Sequence, residues 1–183
     1  MAKFGVRDIT FMAISIALMY VLGKFLYLLS RLFPIPGSRI LFTTPLFTFV
    51  LTAAVLKTKK IGTVSIIFTI LALILTRLSI FGALAVVSAG ILTDLTSLIL
   101  IRKYTDYRSI CLSLGFHSFY SMLTSFVIVS LFIENSSFIL GSGLVALAMA
   151  VFLYFVAFFI ARASIKLFDS RKLLDKKNHR FKS

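Results

Sequence analysis

The chain has 183 residues, of which 60% are hydrophobic and 14% charged, with 20 Phe and a mean hydropathy of +1.04. A water-soluble globule of that composition would expose apolar patches large enough to aggregate, whereas lipid is an ordinary solvent for them. The net charge of +14 raises nucleic acid as a partner, but the basic residues gather in short loops and at the C-terminus, where membrane topology places them. The pattern therefore speaks for a lipid bilayer and against nucleic acid.

In chain order, a basic start (Met1 to Asp8) precedes an apolar run over about 9–32. That run is too long for a signal-peptide core and lacks a small-residue cleavage site, so it is expected to persist as the first helix. A spanning helix needs about 20 mostly apolar residues. Further runs cover about 40–56, 61–80, 81–101, 109–133 and 138–165. Phe33 to Arg39, with its prolines and Gly37, separates the first two, and Lys57 to Lys60 the next. Only Arg77, Ser79 and Gly82 interrupt the third and fourth runs; Arg102 to Arg108 and Glu134 to Ser137 mark the remaining breaks. The expected fold is all-α: one integral membrane domain over 1–183 with six transmembrane helices.

Charge supplies the orientation. With the N-terminus in the cytoplasm, 16 of the 20 Lys and Arg fall in cytoplasmic segments: Lys3 and Arg7, Lys57 to Lys60, Arg102 to Arg108, and Arg162 to Lys182. Arg31, Arg39 and Arg77 fall outside, and Lys24 falls within the first helix. Lys and Arg are retained on the cytoplasmic side because they translocate poorly, so an even number of spans with both termini cytoplasmic is expected. Residues 166–183 read as a basic cytoplasmic tail, a short interfacial helix or frayed end resting on anionic lipid. The single Cys111 lies in an apolar stretch and excludes a disulfide framework.

The first helix carries the most informative pattern. Ala13, Ala17, Tyr20, Lys24, Tyr27 and Arg31 recur at helical spacing and share one face. Its cytoplasmic half is small, which suits either internal packing or a partner helix. Lys24 lies about 24 Å up the helix at 1.5 Å per residue, near the outer interface, where it can face a ligand or snorkel. Arg31, Arg39 and Arg77 belong to the same side and could form a cationic mouth for an anionic ligand, or touch headgroups. Deeper, Asp94 and His117 each lie about 12 Å from the cytoplasmic end of adjacent antiparallel helices. They are expected to hydrogen-bond to each other, with a proton relay as the functional alternative. Tyr120, Ser121 and Thr124 extend the polar face of His117 outwards.

Catalytic signatures are missing. The chain has no phosphate-binding Walker lysine motif, no G-x-S-x-G and no H-E-x-x-H, and two His with one Cys do not make a usual zinc site. Ser142, between two glycines, lies far in depth from His117. Neither an enzyme nor a resident metal or cofactor is expected, and any use of ATP falls to another chain.

The opening Arg7-Asp8-Ile9-Thr10-Phe11-Met12-Ala13-Ile14-Ser15-Ile16-Ala17, the proline-bearing segment Phe33 to Arg39, the basic Lys57–Lys60 loop and the run Ser88 to Leu95 leading into Arg102–Arg108 resemble one family. This is the substrate-binding S component of the energy-coupling factor (ECF) transporters, most of all its members with no agreed vitamin. The resemblance implies a bacterial plasma-membrane protein that captures a vitamin or related micronutrient from outside. It also implies docking through Ala13 and Ala17 onto a membrane T component bearing two cytoplasmic ATPases, with Phe33 to Arg39 as a lid. The second and third helices hold only Gly62, unlike the glycine-rich helices of many S components, so no vitamin subfamily follows. On physical grounds Tyr20, Lys24, Tyr27, Arg31, Arg39, Arg77 and Tyr120 are the candidate ligand contacts. An anion fits the arginines; a planar ring compound, even haem, fits the aromatic content and His117. Two other readings stand beside it: an autonomous small carrier or channel using Asp94 and His117, and a structural membrane partner without a ligand.

Overall fold

The computed structural model describes residues 4–30, 32, 38–101, 104, 106–132 and 136–170, with side chains described for all of these except 38, 39 and 136–142. The described elements are six helices: α1 (Val6–Ser30), α2 (Ser38–Thr58), α3 (Thr63–Leu75), α4 (Ile80–Leu100), α5 (Tyr107–Phe132) and α6 (Ser136–Ser170). Five of them, all but α3, are long and apolar enough to cross a membrane. At 1.5 Å per residue the 13 residues of α3 span about 20 Å, less than the roughly 30 Å of a bilayer's hydrocarbon core. The chain is thus an all-helical protein built to pass several times through a membrane, with one helix too short to cross unaided.

Local chemistry explains why α3 is short. Its last turn closes with the Leu78 and Ser79 N–H groups both donating to the Leu75 carbonyl, at 2.8 and 3.0 Å. Ser79 then takes an extended conformation and caps α4, its hydroxyl accepting the Gly82 N–H at 3.1 Å. A serine that satisfies an orphan helix donor outweighs the apolar continuity on either side. At the other end of α3 the chain reverses through Lys59 at φ 52° and Gly62 at φ 99°. The second of these is strongly left-handed, where a side chain is disfavoured and glycine is not.

The helices form a closed ring: α1 beside α2, then α6, α5, α4 and α3, which returns to α1; α2 also reaches α5 and α3. Met12, Ile16 and Met19 of α1, Leu51 and Val55 of α2, Phe68 and Leu71 of α3, and Ile110 and Leu114 of α5 fill the main core. α6 carries a buried stripe of small residues, Ala146, Ala150, Ala157 and Ala161; Ala161 packs in this core, and Ala146 and Ala150 in a second cluster with Met122 and Leu153. With no hydrophobic drive between helices in lipid, such stripes allow the close backbone approach that van der Waals packing needs. Outward faces remain apolar, as at Val21, Phe25 and Leu28 of α1 and Leu144, Phe152 and Phe159 of α6, all exposed.

One end of the ring gathers the starts of α1, α3 and α5 with the ends of α2, α4 and α6. There Lys60 pairs with Asp8 at 2.7 Å, tying the α2–α3 turn to the first turn of α1. Asp8 also accepts the Gly5 N–H at 3.1 Å, capping α1. This is the basic end; the opposite end is the far end. Lys166, expected to begin the tail, belongs instead to α6, which runs on to Ser170. Residues 171–183 of that tail, the lid segment 33–37 and Arg102, Lys103 and Thr105 lie outside the described residues.

Candidate functional site

At the far end, between α1 and the end of α3, lies an open surface cavity of about 580 Å³, whose lining residues other than Tyr20 are all exposed. Tyr20 of α1 faces it from one side, and Ile70, Leu73, Ile74, Arg77 and Leu78 from the other. Helical spacing explains the α3 wall: 70, 73, 74 and 77 follow the three-and-four repeat of one face. Because α3 ends at Leu75 rather than crossing, Arg77 lies in the turn just beyond it and lines the side opposite Tyr20. The cavity offers apolar walls, a phenol and a permanent cation whose planar fork suits carboxylate or phosphate. Lys24, one turn beyond Tyr20, is exposed and places its ammonium 5.1 Å from the centre of the Tyr20 ring. That cation–π contact brings a second positive charge next to the cavity.

Of the ligand-contact candidates, then, Tyr20 and Arg77 meet at one cavity, with Lys24 on the aromatic neighbour. Tyr27 is half-buried farther along α1, where its carbonyl accepts the Ser30 hydroxyl at 2.8 Å. Arg31 lies outside the described residues, and so does the side chain of Arg39. Tyr120 does not line this cavity: it bonds through its hydroxyl to Thr96 of α4 at 2.8 Å. Ala13 and Ala17 are exposed on α1, so the small face is not packed against any of the described residues. Leu73 and Ile74, which complete the cavity, had no signal in the sequence that set them apart from lipid-facing apolar residues.

The expected bond between Asp94 and His117 is not made. Both are buried, at 6% and 4% exposure, but each has other partners. Asp94 reaches from α4 to the start of α3 and accepts the Ser65 backbone N–H at 2.6 Å. Ser65 returns the contact, its hydroxyl donating to the Gly90 carbonyl at 3.1 Å. His117 of α5 stacks on Phe68 of α3, ring centres 4.3 Å apart. Its Nδ1 lies 3.4 Å from the Thr93 hydroxyl and its Nε2 3.3 Å from that of Ser121. Thr93 spends its own proton on the Ala89 carbonyl at 2.7 Å, so it accepts from Nδ1–H, and Ser121 donates to Nε2. A neutral ring meets both demands.

Toward the basic end the polar seam continues as a directional chain. Ser97 donates to the Thr93 carbonyl at 2.8 Å, so it accepts from Ser113 at 2.7 Å, and Ser113 in turn accepts from Tyr104 at 2.9 Å. Tyr104 lies outside the helices yet only 3% exposed, and burial pushes its hydroxyl above the ordinary tyrosine range. It stays a proton donor at neutral pH. This seam fastens the α4–α5 connection and the α3–α4–α5 packing; every group in it is committed within the protein except Asp94 Oδ1, which has no partner among the described residues. The chain matches no model of a protein family, no curated protein and no solved structure.

Proposed function

We propose that this chain is the substrate-binding S component of an ECF-type importer in a bacterial plasma membrane, with both termini cytoplasmic. The observation that carries the reading is the far-end cavity, where Tyr20 and Arg77 meet over apolar walls in about 580 Å³. That volume lies within the 300–1,000 Å³ typical of small-molecule sites, and a few placed polar groups on an apolar lining are their usual chemistry. A vitamin or related micronutrient bearing a carboxylate or phosphate fits best: the ring stacks on Tyr20 and the anion pairs with Arg77, Lys24 adding long-range attraction.

The exposed Ala13 and Ala17 support the docking half of this reading. A small face, exposed among the described residues, on a membrane-length helix suits close approach of another helix, here the T component. Without a nucleotide-binding motif of its own, the chain relies on two partner ATPases to drive release. It acts as a binding subunit, not an enzyme, and needs no cofactor. The carrier reading through Asp94 and His117 is weaker, because both side chains are engaged in holding α3, α4 and α5 together.

The test is a thermal-shift screen of the detergent-purified protein against B vitamins, their precursors and haem. A compound that raises the unfolding midpoint for the wild type but not for Arg77→Ala supports the reading. No stabilising compound, together with no co-purifying scaffold or ATPase, leaves the structural-partner reading in its place.

A further inference from the structure

A second cavity, of about 520 Å³, opens at the basic end between the start of α5 and the end of α6. Its wall has two zones. Arg108, Arg162, Lys166 and Asp169 line the zone nearest the helix ends, and Leu112 and Phe158 line a deeper zone, a helical turn further in. The spacing produces this order: 158, 162, 166 and 169 follow one face of α6, and 108 and 112 follow one face of α5. Over the eight residues from Phe158 to Lys166, about 12 Å of rise, that face passes from aromatic to cationic. Arg108, Arg162 and Lys166 are all exposed, and none forms an ion pair with a described residue. Among the described lining residues Asp169 is the one carboxylate, so the rim carries a net charge of +2 from its three cations and one carboxylate.

We propose that this groove binds the headgroup of an anionic glycerophospholipid, with the acyl chains continuing along Leu112 and Phe158. A soluble anion would use only the rim. A lipid uses both zones, and in the right order, because both α5 and α6 are membrane-length and their polar ends lie where headgroups lie. Basic pockets between transmembrane helices are built to take phosphate headgroups, two guanidinium forks and an ammonium offering donors that a phosphodiester accepts. The site would clamp α5 to α6 at the end where Cys111 and Ile165 close the core. It is independent of the far-end ligand cavity.

The experiment measures thermal unfolding of the purified full chain in neutral detergent, titrated with phosphatidylglycerol, with phosphatidylcholine, or with inorganic phosphate. Native mass spectrometry of the same samples counts retained lipid. The expected result is stabilisation and retention with phosphatidylglycerol alone. Each cation near a membrane surface is worth about a fivefold change in affinity, so Arg162→Gln with Lys166→Gln weakens the effect about 25-fold, and Arg108→Gln alone about fivefold. Lys57→Gln, exposed at the same end but outside the groove, leaves it unchanged. All these positions are exposed, so folding is checked by the unliganded midpoint, which should stay near wild type. Equal stabilisation by phosphatidylcholine, equal stabilisation by phosphate, or an equal loss in Lys57→Gln would each overturn the proposal: the first shows no headgroup recognition, the second a free-anion site, the third a diffuse surface charge.

Discussion

The Asp94 carboxylate on α4 accepts the backbone N–H of Ser65, the third residue of α3, at 2.6 Å. Gly62 stands at the cap position of α3 and has no side chain to satisfy the first-turn donors. Asp94 supplies the missing cap from a neighbouring helix, at the positive end of the α3 dipole. In lipid the orphan N–H has no water to turn to, so the bond carries more consequence than at a soluble helix end.

Removing that cap should unfold the α3–α4 pair first. Asp94→Ala is expected to lower stability by about 2 kcal/mol, the usual scale for a hydrogen bond to a charged group. Asp94→Asn retains an acceptor oxygen and loses only the charge, so its cost should be nearer 1 kcal/mol. Thermal unfolding in detergent orders the two variants. An Asp94→Asn variant as unstable as Asp94→Ala would mean that the charge, not the acceptor, does the capping.

Two glycines mark where helices touch too closely for a methyl group. A Cβ on Gly115 would lie 2.8 Å from the Tyr154 ring of α6, and one on Gly90 would lie 2.9 Å from the Phe68 Cβ of α3. Gly115→Ala and Gly90→Ala should each cost about 1–3 kcal/mol through overpacking. Combining Gly115→Ala with Tyr154→Leu relieves the first clash, so the double variant should be more stable than the sum of the singles predicts. Additive losses would show that the two helices separate without strain.

Much of this architecture was legible because lipid imposes simple demands: long apolar runs, charged interruptions and helices throughout. Arg77, Ser79 and Gly82 marked a break between α3 and α4 but not its position: the apolar run over 61–80 hides the end of α3 at Leu75, and the capping by Ser79 emerges only from the structure. The burial of Asp94 and His117 was readable too, but their partners were not. Asp94 binds a backbone N–H, and any residue type but proline at position 65 would present one; only the end of a helix leaves it unpaired. The meeting of Tyr20 with Arg77 depends on α3 stopping short beside α1, a property of chain geometry. The alanine stripe of α6 was hidden for a different reason, because small residues are common on every face of a membrane helix.

The Tyr104 hydroxyl heads the chain through Ser113 and Ser97, and burial raises its pKa in the folded protein above the unfolded value. The unfolded state then loses its proton first as pH rises, so it holds fewer protons and stability falls. Below about pH 10 the contribution is intact, and above it the unfolding midpoint should decline. Tyr104→Phe should cost about 1 kcal/mol at neutral pH by leaving the Ser113 oxygen without its donor. The same variant should show a shallower decline at high pH. Parallel pH profiles for wild type and Tyr104→Phe would remove Tyr104 from the cause.

Arg77 and Tyr20 separate two contributions to ligand binding. Arg77→Lys keeps the charge and loses the planar fork, so a carboxylate or phosphate ligand should bind about tenfold more weakly, against about a hundredfold for Arg77→Ala. Tyr20→Leu keeps the apolar wall and loses the ring, which should weaken planar ligands more than aliphatic ones. Isothermal titration with a hit from the vitamin screen measures all three. Equal affinity in Arg77→Lys and wild type would show that the cation acts at long range and does not touch the ligand.

Ala13 and Ala17 test the other half of the proposed function, because they lie exposed on α1 and do not line the far-end cavity. Replacing a small residue that packs inside the chain would cause strain, but an exposed Ala has room to grow. Ala17→Phe should therefore fold with a midpoint close to wild type and retain ligand-dependent stabilisation. It should at the same time lose capture of the scaffold and ATPase subunits when they are co-expressed and purified through a tag on this chain, since a ring at that position holds an approaching helix off. Ala13→Phe, one turn earlier on the same face, should behave alike. Retained capture in both variants would place docking elsewhere, and a large loss of stability in both would show that this face packs against the protein itself.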